Sequence, residues 1–168
     1  MTQHVIAAVQ ALQLEGWSAM SYQMWLKHGQ IDPLLLQEFE MKIGHQLPTA
    51  YRNFLLETNG GIPENSIFEV PDYTSSSILF FGLGVDIPSN DLRYAVRVFA
   101  DAISDGFLPI GRDPGGNLVL MDVKGGKENK IVFWNHGSND GELGGKFAEM
   151  FIASTFSDFI DSLQPESE

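Results

Sequence analysis

The sequence predicts an α+β fold: a mixed or mostly antiparallel sheet with helices before it and one helix packed after it. Three observations carry this. Two capped helical stripes lie between Asp32 and Gly61, short apolar runs separated by turn residues extend from Ile67 to Trp134, and an amphipathic stretch follows Ser154. At 168 residues the chain is expected to form one domain (1–168), burying about 70% of the surface its unfolded state exposes. Its expected parts are a helical N-terminal extension at 1–31, a core at 32–163 and a short acidic tail at 164–168.

In the extension, Thr2 is suited to cap a helix with Val5, Ile6, Val9 and Leu12 on one side, broken at Gly16. A second helix is predicted between Trp17 and Gln30, where Trp17, Met20, Met24 and His28 share a helical stripe. Asp32 and Pro33 then suit the cap and first turn of a helix whose Leu36, Phe39 and Ile43 face inward, and Gly44 ends it. Leu47-Pro48 opens the next helix, with Tyr51, Phe54, Leu55 and Thr58 as its apolar side. Asn59-Gly60-Gly61 stops it, because Asn and Gly accept the left-handed backbone of a helix C-cap.

Beyond Gly61 the periodicity shortens. Ile67 to Val70 reads as an edge strand ended by Pro71, and Ile78 to Leu83 as a strand bounded by Thr74 to Ser77 and by Gly84. Ser89 or Asn90 offers a cap for a helix carrying Leu92, Ala95, Val96 and Phe99 that ends near Asp101. Asp105-Gly106 makes a turn. Asp113-Pro114-Gly115-Gly116 predicts a tight reversal with a positive φ at Gly115. Leu118 to Met121 and Ile131 to Trp134 are continuous apolar runs, which suits adjacent central strands buried on both faces and joined through Lys124 to Lys130. A Gly-rich acidic loop from Gly137 to Lys146 leads to a last helix capped by Ser154 or Thr155, with Phe156, Phe159, Ile160 and Leu163 on one face.

Glu40, Gly44, Leu47-Pro48, Tyr51 and Asn59-Gly60-Gly61, in this order and spacing, resemble the N-terminal signature of the SUKH superfamily. Leu108-Pro109-Ile110-Gly111, Asp113, Gly116-Asn117 and Phe133-Trp134 resemble its central sheet, and the run from Ser154 to Leu163 resembles its Ser-Phe-x-x-Phe closing helix. The resemblance spans about Leu34 to Leu163. It implies an α+β protein-binding module without enzymatic activity. Bacterial members neutralise a cognate toxin domain, often a nuclease, and yeast members of the Smi/Knr type act as regulators linked to cell-wall synthesis.

Composition narrows the function classes. Ten Lys+Arg against 22 Asp+Glu give a net charge of −12, which repels a phosphate backbone and favours a basic protein partner. There are no cysteines, so disulfides and thiolate metal sites are excluded. The N-terminus lacks a basic region ahead of an apolar core, and no apolar run reaches the ~18 residues of a membrane span. A soluble cytoplasmic protein is expected.

Site motifs are weak. Gly82-Leu83-Gly84 lacks a third Gly, Gly126-Lys127 and Gly145-Lys146 are followed by neither Ser nor Thr, and His136 and Phe147 spoil a calcium loop around Asp140-Gly141. His4, His28, His45 and His136 share no ligand spacing. No nucleophile elbow occurs. Asp113 and Asp122 are a conceivable acid–base pair, although Asp113 is better explained as the first residue of its turn. Glu40 reads best as a structural carboxylate bonding backbone at the following corner. No metal, cofactor or catalytic residue is assigned.

The SUKH motif is structural and specifies no contact residues, so the candidates follow from charge and loop position. They are Glu64, Glu69, Asp72, Asp86, Asp140 and Glu142, which would meet a nuclease's phosphate-holding cations, with Tyr73 or Trp134 as apolar anchor. For Trp134 the alternative is core packing. A regulatory adaptor and an unrecognised enzyme are the competing readings.

Overall fold

A computed structural model describes residues 22–125, 129–139 and 149–166. The predicted helix after Thr2 and the first part of the Trp17–Gln30 helix lie outside the described residues. The described part of the latter is a strand, β1 (Met24–Lys27), antiparallel to β2 (Gly61–Pro63). A short apolar run fits either period, and an otherwise unpaired edge of β2 decides the matter by offering backbone hydrogen bonds.

The two predicted helices form as read. In α1 (Pro33–Ile43) the Asp32 carboxylate accepts the Leu34 N–H at 2.9 Å, and Gly44 ends the helix with φ 72°. In α2 (Thr49–Thr58) the buried face is Tyr51, Phe54, Leu55 and Thr58, and Asn59 closes the helix in the left-handed region. Glu40, only 8% exposed, accepts the Leu47 N–H at 2.9 Å and pairs with Arg52 Nε at 3.3 Å. It therefore bonds the backbone of the corner between the helices.

Among the described residues the main sheet has seven strands in the order β1-β2-β5-β6-β7-β8-β9, every neighbouring pair antiparallel. The later strands are β5 (Leu79–Phe80), β6 (Phe107–Arg112), β7 (Leu118–Asp122), β8 (Ile131–Trp134) and β9 (Met150–Ala153). The predicted central strands are neighbours, running from Leu118↔Trp134 to Met121↔Ile131, and all eight paired residues are buried. Successive side chains take opposite faces. Phe133 meets Phe68 at 5.9 Å, while Trp134 meets Phe99 at 6.0 Å. The first face is covered by a two-stranded hairpin, β3 (Ile67–Val70) with β4 (Thr74–Ser77), and by aromatic contacts among Phe54, Phe80, Phe156 and Phe159. The other carries α3 (Leu92–Val98) and the turn after it. Helix α4 (Phe156–Ser162) is capped by Thr155, whose hydroxyl accepts the Asp158 N–H at 3.0 Å.

Several local expectations change. Thr74 to Ser77, read as a strand boundary, forms β4, because pairing with Ile67–Val70 overrides weak propensity. The strand expected over Ile78–Leu83 contracts to Leu79–Phe80, since the following N–H groups bond elsewhere: Phe81 to the Ile110 carbonyl, Gly82 to that of Asn90, Leu83 to the Asn59 side chain. The cap of α3 is Asp91 rather than Ser89 or Asn90, which lie in a 3-10 turn, and the helix stops at Val98. In the 113–117 turn the positive φ falls on Gly116 (84°), not Gly115. Strand β9, after the acidic loop, has no counterpart in the sequence reading.

Asn59 joins the helices to the sheet. Its Oδ1 accepts the Leu83 N–H at 2.8 Å and its Nδ2 donates to the Leu83 carbonyl at 3.0 Å. The contact requires Gly60, where a Cβ would lie 2.4 Å from the Phe81 carbonyl oxygen. Asn59→Asp replaces the donor with a carboxylate oxygen facing a carbonyl and is expected to lower the unfolding free energy by about 2–4 kcal/mol. Glu40→Ala should cost about 1–3 kcal/mol and exposed Glu38→Ala under about 0.5. Urea unfolding measures all three. Burial alone would raise the Asp91 pKa, but the Arg93 side chain and the Arg93 and Gly84 N–H groups hold it below the usual carboxylate range. Its stabilisation is thus present above the unfolded pKa of about 3.9 and lost as pH falls through the lower folded value. Asp91→Asn should flatten that acid branch of the stability–pH curve.

Candidate partner-binding face

The β3–β4 hairpin presents the clearest candidate face. Phe68 and Val70 of β3 point into the core, so Glu69 between them points to solvent. A turn closed by the Tyr73 N–H on the Val70 carbonyl, with Asp72 at φ 60°, carries Asp72 and Tyr73 at the tip. Tyr73 is 51% exposed, yet its ring lies 5.9 Å from Phe133 and its hydroxyl is hydrogen-bonded by Asn135 Nδ2. An aromatic held this way loses little further rotamer freedom when a partner covers it.

A polar chain braces the hairpin from behind. Ser76 Oγ reaches Asp113 Oδ2 at 3.4 Å, and Asp113 accepts the Asn117 N–H at 2.8 Å and Asn117 Nδ2 at 2.9 Å. Asn117 Oδ1 in turn meets His136 Nδ1 at 2.9 Å. Asp113 is 6% exposed, so its lone pairs are used within the protein. Asp122 lies at the opposite end of β7, where it accepts the Lys124 and Gly125 N–H groups. The two carboxylates do not share a cleft, and among the described residues no group of three or more His, Asp or Glu side chains is placed to hold a metal ion.

The predicted residues divide. Glu69, Asp72 and Tyr73 share the hairpin. Trp134 is 3% exposed and packs against Phe99; the exposed anchor role is corrected to core packing, because the face it occupies on β8 is covered. Glu64 lines a separate cleft of about 620 Å³ with Trp25, Arg112 and Glu166. Asp86 is exposed in the loop before α3. Asp140 and Glu142 lie outside the described residues. The chain from residue 53 to 92 carries Glu57, Glu64, Glu69, Asp72, Asp86 and Asp91 but no Lys or Arg, so the hairpin belongs to a continuously acidic segment.

Sequence reasoning missed Asn135, Asn117 and His136 as braces. Asn135 stands 62 positions from Tyr73, and no local spacing signals such a pair. It also missed Trp25, which is 76% exposed on edge strand β1. Asp113→Ala should cost about 1–3 kcal/mol in urea unfolding by leaving the Asn117 donors unpaired, whereas Ser76→Ala, whose bond is long, should cost under about 0.5.

Among proteins of known sequence, the SPbeta prophage-derived uncharacterized protein YokK of Bacillus subtilis (strain 168) is 32% identical over 151 residues, covering 78% of this chain and 73% of its own length. The SMI1 / KNR4 family (SUKH-1) matches residues 30–162, from just before the Asp32 cap to the last residue of α4. With its paired N-terminal helices, its Asn59-Gly60-Gly61 clamp and every strand of the main sheet except β1 inside that span, the chain belongs to the SMI1 / KNR4 (SUKH-1) family.

Proposed function

We propose that this protein is a non-enzymatic binding module that neutralises a basic toxin domain, such as a nuclease, in the cytoplasm by covering its phosphate-holding cations. The observation that carries the reading is the β3–β4 hairpin: an acidic projection with Glu69 and Asp72 exposed and a braced aromatic, Tyr73, at its tip. Membership of the SUKH-1 family supports it. So does the net charge of −12, which accelerates encounter with a cationic surface and disfavours direct contact with nucleic acid. No helix among the described residues is long and apolar enough to cross a membrane, in keeping with action on a protein rather than within a bilayer.

The hairpin supplies two different contributions. Its carboxylates steer association and set orientation, an effect that salt screens within about 8–10 Å. Tyr73 supplies apolar contact area at the centre, where truncation of an aromatic typically costs the most.

Capture of the partner from the native host, followed by expression of that partner alone and together with this chain, tests the immunity role. Toxicity alone and growth on co-expression are expected; a partner harmless by itself would replace immunity with a regulatory role. With the partner in hand, Glu69→Lys combined with Asp72→Lys should slow association several-fold at low salt, the difference shrinking as salt rises, while Tyr73→Ala should mainly speed dissociation. Unchanged rates in both variants would move the contact off the hairpin.

A further inference from the structure

A second cleft, of about 710 Å³, has the opposite electrostatic character. Phe99 and the turn after α3 contribute to it, so it opens on the Trp134 side of the sheet, while the hairpin lies on the Phe133 side. Its lining is largely apolar, with Phe39, Ile43, Val96, Phe99, Ile103 and Phe107 among the contributors. Lys42, His45, Arg93 and Arg97 also line it, which brings three of the chain's ten Lys and Arg residues to one concavity.

The charge balance inside the cleft is positive. Its two carboxylates are already engaged, Asp91 with Arg93 at 2.8 Å and Asp105 with Lys124. Lys42 and Arg97 have no carboxylate within 4 Å among the described residues. Arg97 stands over the Tyr94 ring at 5.5 Å from its centroid, a contact that orients the guanidinium without neutralising it. A position in the last turn of α1 favours a cation at Lys42 through the helix dipole, but that explains one of the two. The volume and the mainly apolar lining with a few charged groups match those of small-molecule sites.

We infer that this cleft binds a small amphiphilic carboxylate, an acyl-chain or aryl acid, with its apolar body over Phe39, Phe99 and Ile103 and its carboxylate at Lys42 and Arg97. On a chain of net charge −12, two cations without a carboxylate partner among the described residues, beside an apolar floor, select for such a ligand. Neutral amphiphiles gain only the floor; multiply charged anions gain only the cations. The site is independent of the hairpin face, and its occupancy leaves that face open.

Amide NMR titration of the full chain with decanoate, and with decanol as its neutral counterpart, tests this. Decanoate is expected to shift residues 92–109 and 39–45 and to bind about five-fold more tightly than decanol, the scale of two partly exposed ion pairs. Lys42→Glu combined with Arg97→Glu reverses charge at two exposed positions and leaves the apolar floor in place; it should abolish the preference for decanoate while decanol still binds. Filling the floor with Ile103→Trp should weaken both ligands, provided the amide spectrum retains its fold dispersion. Equal affinity for decanoate and decanol, a preference unchanged in the double variant, or shifts centred on the Trp25 cleft would each overturn the inference. Binding of a polyglutamate peptide but of neither decanoate nor decanol would assign the cleft to a protein partner and overturn it as well.

Discussion

The architecture depends on one side chain behaving as a piece of backbone. The Asn59 carboxamide pairs with both polar groups of Leu83, as a neighbouring strand would, at the point where α2 ends. Buried backbone groups must find partners, and the short segment from Phe81 to Gly84 finds them in four directions: Ile110 on β6, Asn59 at the C-cap of α2, Asn90 before α3, and the Asp91 carboxylate. Glycines at 60 and 82 permit the approach, since a Cβ on Gly82 would stand 2.2 Å from the Asn59 carbonyl oxygen. Remove that pairing and the helical pair, the short β5 and the start of α3 lose their common anchor.

From this anchor the two faces of the sheet acquire different surfaces. On the Phe133 side, the hairpin is buried through Phe68 and Val70 and leaves Glu69 and Asp72 to solvent. On the Trp134 side, α3 brings Arg93 and Arg97 over an apolar floor. Neither arrangement is visible in the net charge of −12, which averages over both. A strongly acidic chain thus keeps a local concavity of opposite sign, because the carboxylates in that concavity are consumed by their own ion pairs.

Local chemistry made much of the fold legible. Asp32, Pro33, Gly44, Asn59 and Thr155 act within a few residues of themselves, and each terminates a helix where its stereochemistry suggests. The apolar runs at 118–121 and 131–134 are unbroken because both faces of those strands are covered, so their pairing could be read directly. Glu40, one turn before Gly44, was legible as a structural carboxylate for the same reason: its acceptor role is played out at the adjacent corner. Of the eight candidate residues chosen by charge and loop position, the structure places three, Glu69, Asp72 and Tyr73, on one hairpin.

What the sequence determined by itself, then, were the helix ends and the central strand pair, governed by contacts over short chain distances or by burial on both sides. Tertiary structure alone decided that Met24 to Lys27 would be a strand, that Thr74 to Ser77 would pair rather than turn, that Trp134 would face the core, and that Asn135 would hold Tyr73. The physical reason is common to all four. Each outcome is set by a partner distant in the chain, and backbone hydrogen bonding or exclusion of water by that partner outweighs propensities worth about 1 kcal/mol or less.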